Sequence, residues 1–422
     1  MRLDCQVKYM QKIEACNELN QKLAKFGICN KRYNEQLFSL INAGFTEFDA
    51  NRLIVRQYSN RTVQLVLVRY QLLIDAGFSF SDITIIAARE GGARNINAVI
   101  KSVHVFKKRG FSVEQIVEIA GISGGANNIE TVKTFYSDLK RLGFSRNHIT
   151  KMASKKGGAK VVATVVDEFL KLKTLNFTPE EIVRIISPAG GIKNISTLIS
   201  QYNELRNLNL SHEQIVRITG NAGGARNITT LISQHQKLMN LSFSQEQIVK
   251  IAGNRSGFNN VEALIATYPV LRNLGFSNDE MMNLAADHYG ALNIEAVKTA
   301  FYELKELNFT FEHIAAIACK NSGARNIDVI KKSFLQLNQG GFSHEQIVRM
   351  VSYDHGYRNI EAVTAAFIEL KKLKLSLEQI VEIAANKNGD KKIELAKRYY
   401  SSLGAREVKG VLAINRRKSL GL

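Results

Sequence analysis

The sequence predicts an all-α protein, a right-handed solenoid superhelix of two-helix repeats. Three observations carry that reading. A frame of 33 residues restarts at Phe78, Phe111, Phe144, Phe177, Leu210, Phe243, Phe276, Phe309, Phe342 and Leu375, with no insertion between them. Each unit opens on a helix-start signature, and each holds a glycine-rich turn between two apolar-periodic stretches. Self-similarity at such a period marks a quasi-one-dimensional fold, in which a unit buries its apolar face only against its neighbours.

The unit Phe111–Gly143 shows how each element arises. Its second residue is Ser or Thr in all ten repeats, and Gln or Glu follows three residues later in seven, as in Ser112 and Gln115, Thr178 and Glu181, or Ser277 and Glu280. This is a capping box, which satisfies the orphan backbone donors of a helix start. Phe111 and Ile116 fall at the two positions of a hydrophobic staple. A first helix is predicted over 113–120, ended by Gly121-Ile122-Ser123-Gly124-Gly125. A second helix follows, with Ile129, Val132, Phe135, Tyr136, Leu139 and Leu142 at three-to-four spacing, and Gly143 closes it.

Three regions result: degenerate N-terminal cap repeats over 1–77, ten clear repeats over 78–404, and a basic C-terminal cap or tail over 405–422. Phe45–Gly77 keeps the frame but has lost its turn glycines, and Gly27–Gly44 reads as a remnant of another unit. Terminal units of an array diverge because one face lacks a neighbour. The cap carries Lys31, Arg32, Arg52, Arg56, Arg61 and Arg69, and the tail Arg406, Lys409, Arg416, Arg417 and Lys418. The cap residues suit a non-specific phosphate surface or a solvated helix face, and the sequence leaves both open. The tail reads as a frayed basic cap rather than a nuclear-localisation fragment at Arg416-Arg417-Lys418.

Lys and Arg number 57 against 38 Asp and Glu, a net charge of +19 that favours a polyanionic partner, nucleic acid first. The four cysteines, Cys5, Cys16, Cys29 and Cys319, have no metal-binding spacing and fit a reducing compartment. There is no apolar run long enough to span a membrane and no secretory signal at the N-terminus. The eight histidines are scattered, and no phosphate-binding Gly-x-x-x-x-Gly-Lys-Ser/Thr loop occurs. The expectation is therefore no enzyme, and no cofactor, metal, membrane or small-molecule substrate.

The informative contrast lies inside the turn. Position 15 of the repeat is Gly in all ten: Gly92, Gly125, Gly158, Gly191, Gly224, Gly257, Gly290, Gly323, Gly356 and Gly389. The two tip residues before it change at every step. They read Arg89-Glu90, Ile122-Ser123, Lys155-Lys156, Pro188-Ala189, Asn221-Ala222, Asn254-Arg255, Asp287-His288, Lys320-Asn321, Tyr353-Asp354 and Asn386-Lys387. Position 17 is basic in seven repeats, at Arg94, Lys160, Lys193, Arg226, Arg325, Arg358 and Lys391. A fixed backbone presenting varied tips beside a basic stripe suggests phosphates held by one position and bases read by another. The glycine would let the backbone approach the strand closely.

The repeat resembles that of transcription activator-like effectors, and most of all their short bacterial relatives. The matching residues are Ile-Val-x-Ile-Ala-Gly-Asn-x-Gly-Gly-Ala, as in Ile215–Ala225 with Thr219 for Ala, and the proline-bearing Tyr268-Pro269-Val270-Leu271. The resemblance covers Phe78–Gly404 strongly and Phe45–Gly77 weakly. It implies a monomer that binds double-stranded DNA in the major groove, one base per repeat, as a bacterial effector or DNA-binding regulator of transcription. Its location would be the bacterial cytoplasm, or a host nucleus after delivery.

By position, the resemblance implies base contacts from Glu90, Ser123, Lys156, Ala189, Ala222, Arg255, His288, Asn321, Asp354 and Lys387. It implies turn-bracing by Arg89, Ile122, Lys155, Pro188, Asn221, Asn254, Asp287, Lys320, Tyr353 and Asn386. The family's bracing residue is usually Asn or His, matched here at Asn221, Asn254 and Asn386. Ile122 and Pro188 carry no side-chain donor, which predicts loosely held turns. The position-17 cations would hold phosphates. Asp354 would favour cytosine, and Arg255 and Lys156 guanine, from the donors and acceptors that each base presents. The rival readings are a helical-repeat nucleic-acid binder of mitochondrial-terminator type and a protein-binding solenoid, which would concentrate its variation on an exposed helix face.

Overall fold

The computed structural model describes residues 31–55, 59–320, 322–353 and 355–402. Among them run twenty-three α-helices and no strand. The repeat frame sets every helix boundary. All ten first helices occupy positions 3 to 10, as in Val113–Ala120 and Pro179–Ile186. Nine second helices occupy positions 15 to 31, as in Gly125–Arg141, and the last is Gly389–Ser402. The degenerate unit at Phe45 keeps the same frame, with helices Glu47–Ile54 and Ser59–Asp75. Loss of its turn glycines has not cost it the two-helix plan.

Every first helix of the ten repeats has a complete capping box, including the three whose third helical residue is neither Gln nor Glu. Asp82 accepts from the Ser79 backbone N–H through its carboxylate at 2.9 Å. His148 and His313 accept through imidazole Nδ1 from Ser145 and Thr310, each at 3.4 Å. The core follows the sequence periodicity. Position 19 of the second helix, Ile129 and its counterparts, is no more than 2 % exposed in any repeat. Val132 and Leu139 are fully buried beside it, whereas Phe135, Tyr136 and Leu142 are only half-buried.

The chain divides into two compact units, Met1–Ser187 and Pro188–Leu422. Within each unit the second helices of successive repeats pack side by side, and so do the first helices, giving two layers with one apolar core between them. This is the layer arrangement that repeat stacking requires.

A buried asparagine at position 18 joins consecutive repeats. Second helices have no side-chain cap of their own at the turn. Instead, Oδ1 of Asn95, Asn128, Asn194, Asn227, Asn260, Asn293, Asn326 or Asn359 accepts from the second N–H of the next repeat's second helix, at 2.7 to 3.0 Å. None of these asparagines is more than 3 % exposed. Several also donate through Nδ2 to the next turn: Asn227 to the Asn254 carbonyl at 2.7 Å, and Asn260 to the Ala285 and Asp287 carbonyls at 2.7 and 2.8 Å. The series is interrupted at Val161, whose side chain has no amide.

Asn227→Ala would leave the half-buried Phe258 N–H without its acceptor, while the Asn254 carbonyl would keep only its bond from the Gly257 N–H. Such a loss costs on the order of 2 kcal/mol or more. The expected outcome is a lower melting temperature and faster hydrogen exchange at the Phe258 amide. Asn127→Ala, at the exposed position one residue earlier in its repeat, should change neither.

Candidate nucleic-acid interface

The turn is built from its invariant glycine outward. At nine of the ten position-15 glycines, a Cβ would overlap the carbonyl of position 10, the last residue of the first helix, as between Gly125 and Ala120 or Gly158 and Ala153. The two helices of a repeat meet here too closely for any side chain. This glycine therefore has an internal cause, and approach to a strand is not needed to explain it.

The tips do not share one fixed backbone, contrary to the sequence-based expectation. Position 14 is left-handed in repeats one to four and in repeats eight and nine, with Gly91, Gly124, Gly157, Gly190, Ser322 and His355 at φ between 60° and 85°. In repeats five to seven it is not: Gly223, Ser256 and Tyr289 have φ of −93°, −110° and −101°. Asn388 of repeat ten is also absent from the left-handed residues. The division follows position 12. Repeats with Asn221, Asn254, Asp287 or Asn386 there take the second form, and all others take the first.

In three of these four repeats the position-12 side chain bonds the backbone of its own turn. Asn254 Oδ1 accepts from the Ser256 N–H at 2.9 Å, Asn386 Oδ1 from the Asn388 N–H at 3.4 Å, and Asp287 from the His288 N–H at 2.6 Å. In Asn254 and Asn386 a short polar side chain bonds the backbone two residues on, an Asx turn that replaces the left-handed residue. Asp287 instead bonds the next residue's N–H, and Asn221 makes neither bond. The same asparagines reach back to the first helix: Asn221 Nδ2 donates to the Arg217 carbonyl, Asn254 to Ile251 and Asn386 to Ile383, at 2.6 to 2.8 Å. Arg89 and Asn221 also reach the next repeat, at the Gly121 and Gly253 carbonyls. The side chains of Lys155, Lys320 and Tyr353 make no hydrogen bond among the described residues. Ile122 is held from outside: its carbonyl accepts from Asn95 Nδ2 at 3.3 Å, so a missing side-chain donor does not leave that turn without a tie.

Of the ten second-tip residues, Glu90, Lys156, Ala189, Arg255, His288 and Lys387 are exposed, and Ser123 and Ala222 are half-buried. Asn321 and Asp354 lie outside the described residues. All seven position-17 cations are exposed, each as the third residue of its second helix. None forms an ion pair with a carboxylate among the described residues. Some rest on aromatic rings instead: Arg226 lies 5.2 Å from the Phe258 centroid, and Arg325 5.3 Å from that of Tyr357. Burial raises the Tyr357 pKa, but hydrogen bonds from Arg358 and Arg325 outweigh it and hold the phenol below the usual tyrosine value.

Tips and cations meet in concavities. In the first unit a hollow of about 810 Å³ is lined by Arg61, Glu90, Gly92, Arg94 and Ser123. In the second, one of about 460 Å³ is lined by Ala189, Lys193, Ala222, Arg226 and Arg255. Arg61 stands at position 17 of the degenerate unit, so the cap contributes a cation in the same frame. No protein-family model matches the chain, and no curated protein matches it.

Two contributors escaped the sequence reading, the position-18 asparagine and the aromatic residue at position 16, Phe258 or Tyr357. The asparagine had a visible signal, since it recurs in eight of ten repeats. The aromatic occurs too seldom to stand out.

The link between positions 12 and 14 is open to a double-mutant cycle. Gly124→Ala puts a side chain at φ 81° with nothing within 4 Å, so its cost is conformational. That cost is about 1–2 kcal/mol. In an Ile122→Asn background the turn can take the Asx form, and thermal unfolding should show most of the penalty removed.

Proposed function

We propose that this chain binds double-stranded DNA through its turns, with the position-17 cations on phosphates and the second tip residues against base edges, about one base per repeat. The observation that carries the reading is the placement of the seven cations. Each stands in the first turn of a helix, where the macrodipole disfavours positive charge. Each is exposed and without a carboxylate partner among the described residues. Such an arrangement is unfavourable alone and favourable once an anion arrives. The varied tips in the same hollows add the second requirement of a reader, a side chain that differs at each step. The resemblance of the repeat to transcription activator-like effectors supports the same assignment, with regulation of transcription as its natural use.

A second reading, a protein-binding face, draws on position 27. Tyr302, Leu335 and Ile368 stand there in three consecutive repeats with 67 to 69 % of their surface exposed. It accounts for that stripe but not for the unpaired cations.

Salt dependence tests the proposal. If each of the seven cations neutralises one phosphate, the log–log slope of duplex affinity against salt should be about −6. Replacing Arg226 and Arg325 by Ala together should flatten it by about two and weaken all sequences alike. A slope near zero would remove the phosphate role.

A further inference from the structure

We propose that repeats one and two read their bases as one coupled step, with Glu90 fixing the hydrogen-bonding state of Ser123; this rests on the duplex-reading function proposed above. The Ser123 hydroxyl donates to Glu90 Oε2 at 2.9 Å. The two residues stand 33 positions apart, at the same tip position of consecutive repeats, and line one hollow with Arg94. The placement is held from the backbone side as well, because Arg89 Nε donates to the Gly121 carbonyl at 3.1 Å and ties the first tip to the second turn.

The chemistry of the pair restricts what each member can offer a base. A lone serine hydroxyl has one hydrogen and two lone pairs, so it serves either a donor or an acceptor on a base edge. An ionised carboxylate only accepts. With the Ser123 hydrogen committed to Glu90, Ser123 keeps lone pairs alone and suits an exocyclic amino group, N4 of cytosine or N6 of adenine. Guanine and thymine present acceptors to the major groove and gain nothing from it, apart from the thymine methyl. The second carboxylate oxygen of Glu90 remains free and suits cytosine N4. The first two repeats thus select cytosine followed by cytosine or adenine, and residue 90 governs discrimination at a base it does not itself face.

The test is selection from a randomised duplex pool by the full-length chain, as wild type and as Glu90→Ala, Glu90→Gln and Ser123→Ala. Wild type should favour cytosine at the first base and cytosine or adenine at the second. Glu90→Ala should relax the first base and also lower the second-base preference by about threefold or more, the worth of one hydrogen bond. Glu90→Gln keeps the size but can donate to Ser123 as well as accept, and should relax the second base in the same direction. Ser123→Ala should relax the second base. Unchanged preferences at the remaining positions report that each variant is folded and bound. If both Glu90 variants alter the first base alone, coupling is overturned while duplex reading stands. If wild type selects no sequence, the function it rests on falls with it.

Discussion

In eight of the ten repeats the second helix begins on a hydrogen bond that it does not make for itself. Its turn offers no side-chain cap, and the acceptor comes from an asparagine 31 residues earlier, in the preceding repeat. That amide also holds carbonyls of the next turn, so one buried side chain satisfies groups on both sides of the turn. Burying an asparagine costs free energy unless its polar atoms are paired. Here the pairing exists only when the next repeat is docked in register. The stack therefore specifies its own spacing, and Asn128, whose Nδ2 finds no partner, shows what an incomplete pairing leaves behind.

The same arrangement frees the turn for variation. Its backbone is fixed by the close-approach glycine, by the asparagine from the preceding repeat and by a short hydrogen bond across the turn. None of these uses the second tip side chain. That residue can change from Glu90 to Lys156 to Ala189 without disturbing the fold, which is the physical condition for a surface that differs at each step. The first tip residue is less free, since Asn or Asp there changes the turn itself.

Much of this was legible in the sequence, for local reasons. The hydroxyl, the residue three places on and the leading phenylalanine determine the start of each first helix, and the helix over 113–120 lies where that signature puts it. The frame also carried through the degenerate unit, because its apolar spacing outlasted its glycines. What was not legible depends on residues distant in the chain. A polar residue in the first turn of a helix reads as solvated, and only the next repeat makes Asn227 buried. Glycine does not decide the conformation at position 14: Gly223 is not left-handed, whereas Ser322 is. The deciding side chain sits two residues earlier, and its effect depends on hydrogen bonds that composition does not reveal. The cations and tips were legible as a pattern, but the aromatic rings that support Arg226 and Arg325 come from neighbouring repeats.

The most direct test of one repeat reading one base is to remove a repeat. Randomised duplexes would be selected by the full chain and by a variant lacking residues 243–275, one complete unit of the frame. The expected result is a selected site one base shorter, with the remaining preferences kept in order. A site of unchanged length, or a full chain that selects no duplex sequence, would contradict it.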